Sequence, residues 1–269
     1  MLTLFLVFAL IGLFAGFLAG LLGIGGGIFT VPAFLFAFYI FDFPSEYNIQ
    51  VAIGTSLGVM VFTAISSAWS HFLKKGIQWN FLRYYAPGVI GGVVLGAFIA
   101  DLLPARQLVL LFSAYIFCFG VYFVISAFRR ANPYLVENKL KDPYPITAVS
   151  VGIIAGTISA ALGVGGAPIT IPFLTAHRVE LKHAISTSAF VSLLVGSIGS
   201  LSYLFFGLNE RISDGSIGYL YLPGLLITGI TSIASAPIGA RLAYMLPIPI
   251  LRAIFGSFLI VVSIILFRR

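Results

Sequence analysis

One break in the chain, made twice, limits its possible folds more than any other feature. Residues 12–32 read GLFAGFLAGLLGIGGGIFTVP, and residues 152–172 read GIIAGTISAALGVGGAPITIP. Gly12, Ala15, Gly16, Leu22, Gly23, Gly25, Gly26, Thr30 and Pro32 all recur at the same spacing from Gly152 to Pro172. In each copy an apolar run gives way to clustered glycines and then a proline. Glycine in a helix interior costs about 1 kcal/mol relative to alanine, and proline costs about 3 kcal/mol. A helix that only had to stay continuous would not carry such a cluster twice.

The apolar runs set the environment. They cover about Leu2–Leu22, Val51–Phe72, Ala86–Leu103, Leu108–Phe128, Ser186–Phe206, Ile217–Leu246 and Ile248–Phe267. Runs near 20 residues read as membrane-spanning helices. None alternates with period two, which argues against a lipid-facing barrel. Only 9% of the residues are charged and 60% are hydrophobic, against about 25% charged in a soluble domain. The expectation is an all-α integral membrane protein of the cell membrane, crossing it several times. The first run lacks a basic leader and a small-residue cleavage site and belongs to the repeat, so it reads as structure rather than a signal peptide. The single Cys118 cannot form an internal disulfide and reads as a packing thiol. The net charge of +7 sits in short loops, the pattern that membrane orientation produces, and does not indicate nucleic acid.

The repeat extends beyond the glycines. VAIGTSLG at 51–58 corresponds to HAISTSAF at 183–190, so Ala52, Thr55 and Ser56 match Ala184, Thr187 and Ser188. GAFIADLLP at 96–104 corresponds to GARLAYMLP at 239–247. The chain therefore divides into an N-terminal repeat (1–128), a polar linker (129–144) and a C-terminal repeat (145–269). Each repeat is an interrupted segment followed by three spanning helices. The interrupted segment is either a broken helix that crosses once or a hairpin that enters and returns. The hairpin gives inverted repeats and gathers Lys74, Lys75, Arg83, Arg129, Arg130, Lys139, Lys141, Arg178, Lys182, Arg241 and Arg252 on one side. That leaves Arg106, Arg211, Arg268 and Arg269 opposite, a slightly stronger bias than a single crossing gives, so both termini and the acidic loop 41–48 are expected outside.

Backbone that leaves the helix inside a bilayer persists only where protein or a watery cavity satisfies it. A helix restarting after a break points free N–H groups and the positive end of its dipole at the gap. Such a gap can hold an anion without any lysine or arginine. Paired interruptions in two halves are the sequence pointer to a transporter's midplane site. Glycines spaced by four also serve close helix packing, which is the reading for Gly12, Gly16 and Gly20 and for Gly152, Gly156 and Ala160. The denser clusters at 23–27 and 163–166 read as functional breaks. Thr55-Ser56 and Ser186-Thr187-Ser188 either bond their own helix carbonyls or face a substrate. Asp101 and Arg241 read as snorkelling near helix ends, and His71, His177 and His183 as interfacial. Trp69, Trp79, Tyr84 and Tyr85 around Lys74-Lys75 read as an aromatic belt. No carboxylate chain for proton relay, no enzyme motif and no metal-ligand spacing is present, so no cofactor or metal is expected.

Together the duplicated G-x-G-G…P and the following AIGTS and AISTS resemble the TauE/SafE family of membrane permeases over nearly the whole chain. The resemblance implies a prokaryotic plasma-membrane transporter with two repeats, moving sulfite, sulfoacetate or another organosulfonate. The second cluster departs from the first at Ala167-Pro168, which offers one fewer N–H. The expected site lies between the breaks. Its backbone groups are those of Gly25, Gly26, Gly27, Gly165, Gly166 and Ala167, and its hydroxyls those of Thr30, Thr55, Ser56, Thr170, Thr187 and Ser188. Alternating access is expected from one broken segment moving against the remaining helices. The other readings are a passive anion channel, a carrier of a different small solute and a non-transporting scaffold. Expected partners are a small anion and the bilayer, with a homodimer as a further possibility.

Overall fold

The computed structural model describes residues 2–22, 26–43, 46–73, 76–128, 145–210, 212, 214–243 and 248–268. The linker 129–144, Gly23–Gly25 and Lys74-Lys75 lie outside these, as do the side chains of residues 66–73, Trp69 and His71 among them. The first repeat forms α1 (Leu2–Leu22), α2 (Gly27–Ile40), α3 (Asn48–Leu73), α4 (Trp79–Leu102) and α5 (Ala105–Phe128). The second forms α6 (Pro145–Leu162), α7 (Ala167–Ala176), α8 (Leu181–Phe206), α9 (Leu222–Ala243) and α10 (Ile248–Phe267). Ahead of α9 a short antiparallel hairpin pairs β1 (Ser216–Ile217) with β2 (Leu220–Tyr221).

Seven of the described helices, α1, α3, α4, α5, α6, α8 and α9, are long and apolar enough to cross a membrane. Their outer faces expose Phe5, Phe14, Phe117, Tyr122 and Ile230, as a bilayer permits and water does not. Two runs are extended or trimmed relative to the sequence reading. α4 starts at Trp79, because the aromatic and polar turn WNFLRYY is still helical. The run from Ile217 is trimmed, since its first residues form the hairpin and the helix begins at Leu222.

Glycine faces determine which helices pair. A Cβ on Gly12 would meet Thr228, and one on Gly16 would meet Ser232, so α1 and α9 run side by side in one direction. Gly88, Gly92 and Gly96 lie against Val149, Ile153 and Thr157, which aligns α4 with α6 in the same way. These are the two most extensive helix pairs, and each joins one repeat to the other. Corresponding helices pack in opposite senses. Gly54 faces Tyr203 while Leu57 faces Gly199, so α3 and α8 are antiparallel. Gly120 meets Gly256, and the Ser263 hydroxyl donates to the Ser113 carbonyl at 2.9 Å, so α5 and α10 are antiparallel too.

The interrupted segments turn back on themselves. Gly26 at the start of α2 faces Ala15 and Ala19 of α1, and Phe34 further along lies 5.7 Å from Phe8, ring to ring. In the second repeat Thr170 and Phe173 of α7 reach Tyr85, which stands beside Gly152 of α6. α2 has 14 residues and α7 has 10. At about 1.5 Å per residue they reach roughly 21 and 15 Å, short of the ~30 Å hydrocarbon layer.

Candidate functional site

The two breaks meet. A Cβ on Gly27 would run into the Gly163 carbonyl oxygen and stand 3.2 Å from the Val164 Cα. The junction is shut off from solvent: Ile28, Val164 and Thr170 are fully buried, and Ala167 and Thr30 are 1% exposed. Its sharp turns rest on glycine. Gly26 (φ 76°) and Gly163 (φ 66°) are both left-handed, a conformation that costs an L side chain about 1–2 kcal/mol.

Each short helix restarts straight from its break. The Gly26 carbonyl accepts the N–H groups of Phe29 and Thr30 at 3.0 and 3.1 Å. The Gly166 carbonyl accepts that of Thr170 at 3.0 Å. No side chain caps either helix. Pro168 occupies the first turn of α7, where its missing N–H costs nothing. The N–H groups of Gly166, Ala167 and Ile169 donate to no backbone carbonyl among the described residues. The end of α6 is closed by its own chain, with the Val164 N–H on the Ser159 carbonyl at 2.8 Å.

The hydroxyls expected at the site divide by role. Thr55 accepts the Tyr221 N–H at 3.0 Å, and Thr187 accepts the Gln78 N–H at 3.0 Å. Both acceptors tie down the residue just before the partner repeat's fourth helix, α9 or α4. Thr187 also donates to the His183 carbonyl at 2.8 Å. Ser56 bridges the halves: it bonds the Thr30 hydroxyl and donates to the Gly163 carbonyl at 3.2 Å. Thr170 pairs with the Tyr85 hydroxyl at 3.0 Å, and Ser159 donates to the Gly165 carbonyl at 3.4 Å. Ser188 is fully buried and meets no hydrogen-bond partner. Of the expected site residues, only Gly25 lies outside the described residues.

Sequence reading missed two features nearby. Asp101 does not simply snorkel: its carboxylate accepts the Tyr219 hydroxyl at 2.8 Å, on the hairpin that precedes α9. Burial, and then this bond, raise the Tyr219 hydroxyl well above its ordinary pKa. Tyr203, buried beside it, donates to the Ala160 carbonyl at 3.1 Å, at the end of α6. No local pattern in the sequence signals either tie. Among the described residues no group of three or more His, Cys, Asp or Glu is placed to hold a metal.

The family model described as sulfite exporter TauE/SafE matches residues 8–266. A probable membrane transporter protein of Haemophilus influenzae is 38% identical, with all of both chains covered. A probable membrane transporter protein of Methanocaldococcus jannaschii is 29% identical, covering 93% of this chain and 90% of its own. One of Bacillus subtilis is 24% identical, covering 82% and 83%. No solved structure matches. With its membrane-length helices and this match over nearly its whole length, the chain is a multi-pass cell-membrane transporter and belongs to the TauE/SafE family.

Proposed function

We propose that the protein is a secondary transporter for a small sulfur-containing anion, a sulfite or an organosulfonate, held where the two breaks meet. The observation that carries this reading is the contact of Gly27 with Gly163 inside an apolar bundle. Its polar groups are backbone and hydroxyls, and helix starts point into it. Such a site attracts an anion by N–H groups and helix dipoles and gives a cation no carboxylate to bind. The match to a family described as sulfite exporters supports sulfur as the central atom. The hydroxyls of Thr55, Thr187 and Ser56 are already engaged with the protein, so they shape the site more than they fill it.

Antiparallel corresponding helices and returning α1–α2 and α6–α7 segments support inverted repeats with both termini on one face. α1 and α6 are each held by the other repeat. The short limbs α2 and α7, packed chiefly on α3 and α8, are then the parts free to move between inward- and outward-open states.

The test is counterflow in proteoliposomes loaded with an unlabelled organosulfonate. A carrier accelerates uptake of the labelled compound when the inside is loaded, whereas a passive channel shows no such acceleration. Uptake that no sulfur oxyanion stimulates would remove the sulfur assignment.

A further inference from the structure

The two halves use one hydroxyl differently, and the difference locates the anion. Thr55 on α3 and Thr187 on α8 accept matching backbone N–H groups at the same distance. The two helices are therefore in the same register, and the next residues, Ser56 and Ser188, hold equivalent places. Ser56 is used up by Thr30 and the Gly163 carbonyl. Ser188 is 0% exposed and unpartnered, and Thr170, the counterpart of Thr30, pairs with Tyr85 instead. A buried hydroxyl with no partner is costly and calls for an explanation.

Ser188 lies on the face of α8 that meets the start of α7. A Cβ on Gly166 would touch Val191 Cγ1 at 2.5 Å, and Val191 stands one turn beyond Ser188. The start of α7 presents the undonated N–H groups of Gly166, Ala167 and Ile169. In the first half Met60 covers Gly27, whereas the matching position on α8 is Ser192, also buried.

We infer that the anion is a monoanion bound at the second break alone, by the N–H groups at the start of α7 and the hydroxyl of Ser188. The first break, occupied by Thr30 and Ser56, forms the opposite wall of the site. This rests on the transport reading above. The charge follows from the donors. A helix start supplies the equivalent of about half a positive charge, and among the described residues no lysine or arginine contacts the junction. A dianion would lose its hydration without a counter-charge. A sulfonate or hydrogen sulfite suits the site, and sulfate does not. Access requires α7 to lift from Val191.

The experiment is a binding titration, followed by thermal unfolding, on the full-length protein in detergent. Methanesulfonate and sulfate are compared at matched ionic strength and pH. The variants are Ser188→Ala, Ser188→Cys as a volume-keeping second choice, and Ser113→Ala as a buried-serine control between α5 and α10. Methanesulfonate should bind the wild-type protein and sulfate should not. Ser188→Ala should weaken binding about tenfold or more, the loss expected for a hydrogen bond to a charged group. Without ligand it should melt no lower than wild type, since it removes a hydroxyl that had no partner. Ser113→Ala should bind as wild type does. Undiminished binding in both Ser188 variants, or sulfate binding as tightly as methanesulfonate, overturns the inference and leaves the transport reading standing. If neither anion, nor sulfite, binds the wild-type protein, the oxyanion reading itself fails and this site falls with it.

Discussion

The first break and the second break share a sequence plan but differ in backbone and in filling, since Gly26 opens α2 left-handed and Gly166 opens α7 right-handed. Both follow a full-length helix, both restart a short one from Gly-Gly, and both put a threonine one turn in. In the first, Thr30 and Ser56 bond each other and Met60 lies over Gly27. In the second, Thr170 is drawn off to Tyr85, Ser188 is left alone, and Ser192 stands where the methionine was. Bonds that hold helices together, such as those of Thr55 and Thr187, are retained in both copies. The threonine and serine that face the breaks are the same residue types in both copies but bond differently, and Met60 has become Ser192. A duplicated chain keeps what its scaffold needs twice and can specialise whatever it needs once.

The largest effect should come from forcing the breaks apart. Gly27→Val places a branched side chain against the Gly163 backbone, which cannot move aside without opening the α6 end. Overpacking of this kind costs about 1–3 kcal/mol, and counterflow should vanish while the protein still inserts. Gly166→Ala meets a side chain, Val191, which can shift, so its transport should fall but persist. Equal loss in both would mean that the backbone contact at Gly27 has no special weight.

Next come the retained bonds. Thr55→Val and Thr187→Val each strip the acceptor from a backbone N–H, at Tyr221 or Gln78. A buried donor left unmade costs about 1–3 kcal/mol. Thermal unfolding in detergent should show similar losses for the two variants. A loss confined to one would break the equivalence of register on which the comparison of Ser56 with Ser188 depends.

Much of this fold was legible in the sequence. Run lengths and low charge gave the spanning helices. Glycines four apart marked close faces, and Gly12, Gly16, Gly152 and Gly156 do sit against backbone. What spacing cannot say is whose backbone. Small-residue stripes permit close approach to any helix, so nothing in the chain foretold that α1 would pack on α9 and α6 on α4. The breaks come together at Gly27 and Gly163, but the bonds around them could not be read from the sequence. Ser56 and Ser188 look alike in AIGTS and AISTS. Their roles part because of Tyr85, far off in the chain. The hairpin at 216–221 was hidden in an apolar run, and with it the partner of Asp101.

A smaller effect separates the serines by stability alone. Ser56→Ala removes two bonds in the first half and should lower stability by about 1–2 kcal/mol. If instead it melts with wild type, Ser56 is not fixed in place and the first break is as open as the second.

The smallest effect probes an asymmetry outside the breaks. Asp101 accepts from Tyr219, but the matching position in the second repeat is Tyr244, so this carboxylate tie has no sequence counterpart. Burial and the carboxylate both favour the protonated phenol in the folded state. A raised pKa contributes stability that is complete below the unfolded tyrosine value near 10 and is lost as pH rises above it. The wild-type melting temperature should therefore decline above about pH 10 more steeply than that of Tyr219→Phe. At neutral pH the variant should lose about 1 kcal/mol with its hydrogen bond, discounted because Asp101 is only half-buried. Parallel declines in the two proteins would mean that Tyr219 keeps its ordinary pKa, and that its bond to Asp101 adds nothing to the packing of the hairpin against α4.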